Sequence, residues 1–273
     1  TSKCFLYSPT EEEKHRLDFK FIFKLFCLTG LFWLACGDVP RDNILDPQNP
    51  DSITAQKVMI EAFVNTSNPF SVNEYALQAL DSLSTFYKSR IIIAEYHRNT
   101  AEYSDAYHTE KNELLYQHYV SQFDNFKGVP DIFINGTRQR IQGASSASYS
   151  IFRLEEALQE EMLKNAYFLL QPAYSREGNT ISPLIRIARL GRQPVRQIII
   201  KALIVSHISA PFLERVVRGA VESQIISQLS PGEQKQITLP EMRIDDGSVN
   251  SLIVYVTNAD ATEIYQCESV NIE

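Results

Sequence analysis

The sequence predicts an α+β chain in two folded halves, an N-terminal α/β domain over 57–165 followed by an antiparallel β-sandwich over 166–273. Three observations carry this. Two continuous apolar runs, Val58–Val64 and Arg90–His97, flank a stretch of helical apolar spacing, the pattern of buried parallel strands joined by a right-handed crossover. Residues Val129–Gly136 read as a strand entering an Asn-Gly hairpin turn. Beyond Ala166 the period shortens to β-rich runs, several divided by turns at Glu177-Gly178-Asn179, Pro231-Gly232 and Asp246-Gly247. With 273 residues, 44% of them hydrophobic, the chain has apolar material for two ordinary cores.

Taken from the N-terminus, residues 1–16 carry Cys4 and Glu11–Glu13 without apolar period and read as lying ahead of the true start. Lys20 and Lys24 then lead into Leu25–Ala35, a run too short to span a bilayer comfortably. A positive start, a short apolar core and the small Ala35 make a secretory signal. Leu34-Ala35-Cys36-Gly37 resembles the lipobox of bacterial lipoproteins, which implies cleavage before Cys36 and acylation of that cysteine. Trp33 departs from the Leu usual in that family, and a plain cleaved signal or an uncleaved anchor helix are the alternatives. Residues 1–36 are thus an extension and lipoprotein signal peptide. Residues 37–56, rich in Asp, Asn and Pro, read as a flexible tether lifting the folded part off a lipid surface.

The folded part begins with the strand Val58–Val64. Ala76, Leu77, Leu80, Leu83, Phe86 and Tyr87 mark a helix of about four turns, N-capped by Ser71 or Asn73. After the second strand, a polar, tyrosine-bearing stretch leads to a helix over about 110–123. A strand and hairpin follow at 128–141 and a last helix at about 149–165, with Gly143–Ser148 as its capping loop. In the second half, strands are expected at 167–170, 184–190, 197–208, 236–239, 251–257 and 262–272, while Arg215–Glu222 fits a short helix or a strand equally.

The order strand, helix, strand, helix, strand, hairpin, helix over about 57–165 resembles the thioredoxin fold. Three passages place the resemblance: Glu61-Ala62-Phe63-Val64-Asn65 before a turn and helix, Val129-Pro130 where that family carries a cis-proline, and Asp131–Gly136 as its strand and turn. The β-rich half, read as an immunoglobulin-like sandwich, matches the C-terminal half of related outer-membrane lipoproteins. The resemblance puts the family's Cys-x-x-Cys pair at Asn68 and Ser71, within Asn68-Pro69-Phe70-Ser71, with Ser67 in place of the usual tryptophan. In thioredoxins the helix dipole at that position stabilises a thiolate. No cysteine lies between Asp38 and Gln266, so thiol–disulfide exchange is excluded and no catalytic residue is assigned.

What remains is a possible binding groove of Asn68, Pro69, Phe70, Ser71, Val129 and Pro130, suited to an extended peptide or an anion, against a plain scaffold. Chemistry through Ser71 or a histidine would need a base beside Ser71. A net charge of −7 and no basic stripe with interleaved aromatics argue against nucleic acid. His97, His108 and His118 match no compact ligand spacing, and neither metal nor cofactor is expected. Glu155, Glu156, Glu160 and Glu161 read as a solvated helix face, Cys267 as a small buried hydrophobe, and the Asn-x-Thr/Ser sequences at 65 and 135 as turns. The expected protein is a non-catalytic lipoprotein of the bacterial envelope, on the outer membrane by the sorting analogy of Gly37. It is attached through lipid on Cys36 and holds an envelope protein or peptide, or serves as a structural subunit of a surface assembly.

Overall fold

A computed structural model describes residues 41–208, 214–244 and 249–273. The signal segment, Cys36 and the Asp246-Gly247 turn lie outside the described residues. Val58–Val64 (β2) and Ile91–His97 (β3) are buried at every position and pair in parallel from Val58↔Ile91 to Val64↔His97. Their crossover is the helix Val72–Tyr87 (α1), which buries Ala76, Leu77, Ala79, Leu80 and Leu83. Asp131–Ile134 (β4) runs antiparallel to β2 and turns back as Gln139–Gln142 (β5). Helix Glu110–Val120 (α2) is capped by the Thr109 hydroxyl and helix Ala147–Met162 (α3) by that of Ser146, the hydroxyls taking up first-turn N–H groups.

The strand period of two sorts the sheet's side chains onto opposite faces. Ile60, Ala62, Ile91, Ile93, Ile132 and Ile134 pack with α1 and α3 in one cluster. Met59, Phe63, Ile92, Tyr96 and Phe133 pack with α2 in another. Both faces are covered, so these strands read as unbroken apolar runs rather than alternating ones.

In the second half Asn165–Ala166 (β6) pairs with Thr54–Ala55 (β1). Phe168–Glu177 (β7), Thr180–Arg189 (β8), Gln234–Thr238 (β12) and Met242–Arg243 (β13) form a four-stranded antiparallel sheet. Val195–His207 (β9), Val216–Glu222 (β10), Ile226–Leu229 (β11), Val249–Asn258 (β14) and Ile264–Ile272 (β15) extend the first sheet instead. Its order is β15-β14-β9-β10-β3-β2-β4-β5, with β11 beside β9. Pairing therefore crosses the boundary expected at 165/166: Val216 bridges Glu95, whose N–H donates to the Arg215 carbonyl at 2.8 Å. The stretch 215–222 resolves to a strand, as its β-branched Val216, Val217 and Val221 favour. The two sheets face each other across Phe168, Leu170, Ile185 and Ile187 from one and Ile200, Ile204, Leu252 and Val254 from the other. The fold is α+β, and Asp42–Glu273 is one compact unit. Among the described residues no helix is long and apolar enough to cross a membrane.

Two expectations change. The tether, over residues 42–56, is folded onto the body. Asn43, Asp46 and Asn49 each accept a backbone N–H two residues on, building turns that carry no apolar period. The Ser52 hydroxyl donates to the Ile44 carbonyl at 2.6 Å and accepts the Gly191 N–H at 2.9 Å. Glu161, assigned to a solvated face, is fully buried, because Asn135, Lys164 and Arg138 supply its hydrogen bond and charges.

That contact belongs to the Asn135-Gly136 turn. The Asn135 side chain accepts from the Met59 N–H at 2.9 Å and donates to Glu161 at 2.8 Å, while its backbone N–H reaches the Met59 carbonyl and its carbonyl accepts from Ile264. Gly136 holds a φ of +74° and lies so close to the β14–β15 turn that a Cβ would sit 2.5 Å from the Thr262 oxygen. Gly136→Ala is therefore expected to lower stability by roughly 1–3 kcal/mol in urea unfolding. A Gly178→Ala control, at a φ of +58° with open space around it, loses only the smaller conformational part.

Candidate functional site

Because β2 and β3 run together and β4 and β5 return in turn, the connections 65–71, 98–109, 121–130 and 143–146 meet at one end of the sheet. The Phe63↔Asp131 register sets Pro130 beside the end of β2, from which the Asn68–Ser71 turn departs. The candidate groove residues thus share this end, and no hydrogen bond among the described residues joins the two segments. Asn68 accepts the Phe70 N–H at 2.9 Å in an Asx turn, Pro69 is exposed, and the Phe70 ring is 61% exposed. Ser71 occupies the N-cap of α1 without a side-chain capping bond. The Val129-Pro130 peptide is cis, Val129 is half-buried, and the Pro130 carbonyl accepts from Gly143. Phe126, 64% exposed, comes from the neighbouring 121–130 connection, and Tyr149, 52% exposed, from the first turn of α3.

Buried polar groups hold these loops. Asn65 donates from its amide to the Arg98 and Tyr103 carbonyls at 2.9 and 2.8 Å, joining the loop after β2 to the one after β3. Asp105 accepts from the Thr66 and Tyr107 N–H groups and lies 3.0 Å from His97 Nδ1. Burial works to raise the Asp105 carboxyl, but the His97 hydrogen bond and charge, with the backbone donors, bring it below the usual carboxylate range. Asp131, fully buried, accepts from Arg140 at 2.7 Å and from the Tyr116 hydroxyl at 2.9 Å, and that hydroxyl also bonds both backbone groups of the Gly128 peptide region. Arg140 reaches on to the Phe126 carbonyl and Asp124, so Phe126 is displayed on a braced loop.

The three histidines lie in separate surroundings. His97 is buried against Asp105, His108 Nδ1 accepts from the Asn99 N–H, and His118 Nε2 meets the Asp260 carbonyl at 2.6 Å. Cys267 is buried beside the Lys57 carbonyl, and burial pushes its thiol well up, away from the reactive thiolate.

A second polar cluster was not legible in the sequence, beyond the presence of a single carboxylate in each of two apolar strands. Glu61, in β2, accepts from the Tyr119 hydroxyl at 2.8 Å and the Tyr96 hydroxyl at 3.1 Å, and Tyr255 of β14 adjoins them. Burial raises its carboxyl above the ordinary range even though both hydroxyls favour the charged form. Glu95, in β3, is likewise raised by burial, against the opposing pull of Arg215, which bonds it at 2.9 Å and also pairs with Asp81 of α1. Behind the Glu61 cluster, Tyr96 and Tyr255 form part of the wall of a cavity of about 650 Å³ between α2 and strands β9, β10 and β14. A carboxyl raised in the folded state supports stability below its unfolded value and withdraws that support as pH climbs through the folded one. Glu61→Gln is accordingly expected to gain stability relative to wild type as pH rises above 4.5, read from urea midpoints; a pH-independent difference would place an ordinary carboxylate there.

No family model matches the sequence, and no curated protein matches it. Solved structures do match in fold. HBP35 of Porphyromonas gingivalis aligns over 80% of this chain and 76% of its own with a TM-score of 0.59 at 12% identity. Protein AGR_C_4864 from Agrobacterium tumefaciens aligns over 80% of this chain and 95% of its own with a TM-score of 0.52 at 17% identity. At these identities the likeness is one of fold.

Proposed function

We propose that this chain is a lipid-anchored protein of the bacterial envelope, on the outer membrane, in which a redox-inactive thioredoxin-like domain and an immunoglobulin-like sandwich hold a protein partner. The thioredoxin-like reading is supported by the order β2-α1-β3-α2-β4-β5-α3, the parallel β2–β3 pair, the antiparallel hairpin and the cis Val129-Pro130 peptide ahead of β4. Partner binding rests on one observation above the rest: exposed aromatic side chains at Phe70, Phe126 and Tyr149, carried by two loops and the first turn of α3 at the end where the lost cysteine pair would lie. Aromatic rings on a braced surface supply contact area at little entropic cost, as interface anchors do. Against chemistry at this end stands the Ser71 hydroxyl, which has no hydrogen-bonded base among the described residues.

Two measurements test the reading. Intact mass of protein from the native membrane is expected to begin at Cys36 with added acyl mass, which Cys36→Ala abolishes; an unmodified Cys36 refutes the anchor. A Phe70→Asp/Phe126→Asp variant is expected to lose the protein that co-purifies with wild type at least tenfold while its thermal midpoint stays within about 2 °C, since both rings are exposed. Unchanged co-purification would remove this surface from the function.

A further inference from the structure

The cavity between α2 and the β9, β10 and β14 face differs in character from the loop end and shares none of its candidate residues. Its walls are mostly apolar, with Leu114 and Leu115 from the helix and Leu203, Ala220 and Val221 from the strands. Leu114 is 56% exposed, an apolar side chain with too little of the protein over it. At about 650 Å³ the space falls in the range of small-ligand sites, which combine apolar walls with a few placed polar groups.

The charges around it are unbalanced. Lys201 stands in the wall with its side chain 18% exposed, and its ion-pair partner is Glu222, at 3.3 Å, whose own side chain is 56% exposed. Lys111, at the N-terminal half of α2, forms no ion pair among the described residues. Glu61 lies behind the Tyr96 and Tyr255 wall, outside the cavity lining, where both tyrosine hydroxyls hold it and the Lys201 charge reaches it, so Glu222 is the one carboxylate at the cavity surface. An apolar cavity with two lysines and one exposed carboxylate suits a ligand with an apolar body and one anionic head.

We propose that this cavity is a binding site for an apolar carboxylate, its hydrocarbon part between Leu114, Leu115 and Leu203 and its carboxylate paired with Lys111 and Lys201. Two sources present that chemistry, a free long-chain acid and the C-terminus of an apolar peptide. Neither the lipid anchor nor the loop-end reading is required for it.

Calorimetric titration of the full chain tests the site with dodecanoate, dodecylammonium and dodecyl maltoside, and with an apolar hexapeptide carrying either a free or an amidated C-terminus. At least one carboxylate probe is expected to bind ten times more tightly than its cationic, neutral or amidated counterpart. Dodecanoate selectivity assigns the source to a free acid, and selectivity for the free over the amidated peptide assigns it to a chain terminus. Lys111→Glu/Lys201→Glu should cost the preferred probe at least tenfold, as should Ala220→Phe, which fills the cavity from β10, with circular dichroism and thermal midpoint confirming that each variant folds. Equal binding by charged and neutral probes, no binding by either carboxylate, or affinities within twofold of wild type in both folded variants would overturn the proposal.

Discussion

The turn at Asn135-Gly136 is the joint on which the rest of the structure depends. One buried amide side chain satisfies the Met59 N–H of the first long strand and Glu161 of the last helix, and the adjoining backbone docks on Ile264 and on the β14–β15 turn. A buried amide left without these partners would cost about 1–3 kcal/mol for each orphaned group. Sliding any one of the four elements breaks bonds to the others, so the register of the hairpin is coupled to that of strands more than a hundred residues later. The left-handed backbone at both residues permits this, with glycine where the Thr262 carbonyl leaves no room for a side chain.

Around that joint the sheet buries several ionisable groups, and their arrangement divides the molecule. Asp105 and Arg140 are tied to loop backbone and Asp131 holds Arg140 in place, so their bonds brace the end that displays Phe70 and Phe126. Glu61 and Glu95 instead lie deep in β2 and β3 and link strands to covering elements: Glu61 to α2 through Tyr119, and Glu95 to β10 through Arg215. Buried charges and their partners contribute less to net stability than apolar packing of equal volume would, while removing one partner alone is strongly destabilising. Their effect here is to make the docking of α2 and β10 on the sheet specific.

The same docking makes the cavity. β3 stops at His97, whereas β10 runs on to Glu222, and α2 covers the sheet face beyond that point without filling it. Loop-end display and cavity thus follow from one sheet, the first from where its strands turn and the second from where two of them end unequally.

By itself the sequence determined the local elements and the cysteine-free stretch from Asp38 to Gln266. Val58–Val64 and Arg90–His97 announced buried strands because both faces of a covered parallel strand demand apolar residues, and Asn135-Gly136 announced its turn because few residue pairs accept that backbone. The cysteine-free stretch is a matter of composition, readable without any fold. Asn68, Ser71 and Pro130 could be set at one end of a sheet only by likeness to a family, and the exposed rings around them became visible only with the loops in place. Tertiary structure alone decided that β10 joins the first half's sheet, that 42–56 folds onto the body, that Glu161 is buried and that Glu61 meets Tyr96, Tyr119 and Tyr255. The physical reason is range: helical and strand periods are properties of neighbours along the chain, whereas a carboxylate's solvation and a strand's second partner depend on residues brought near from far away.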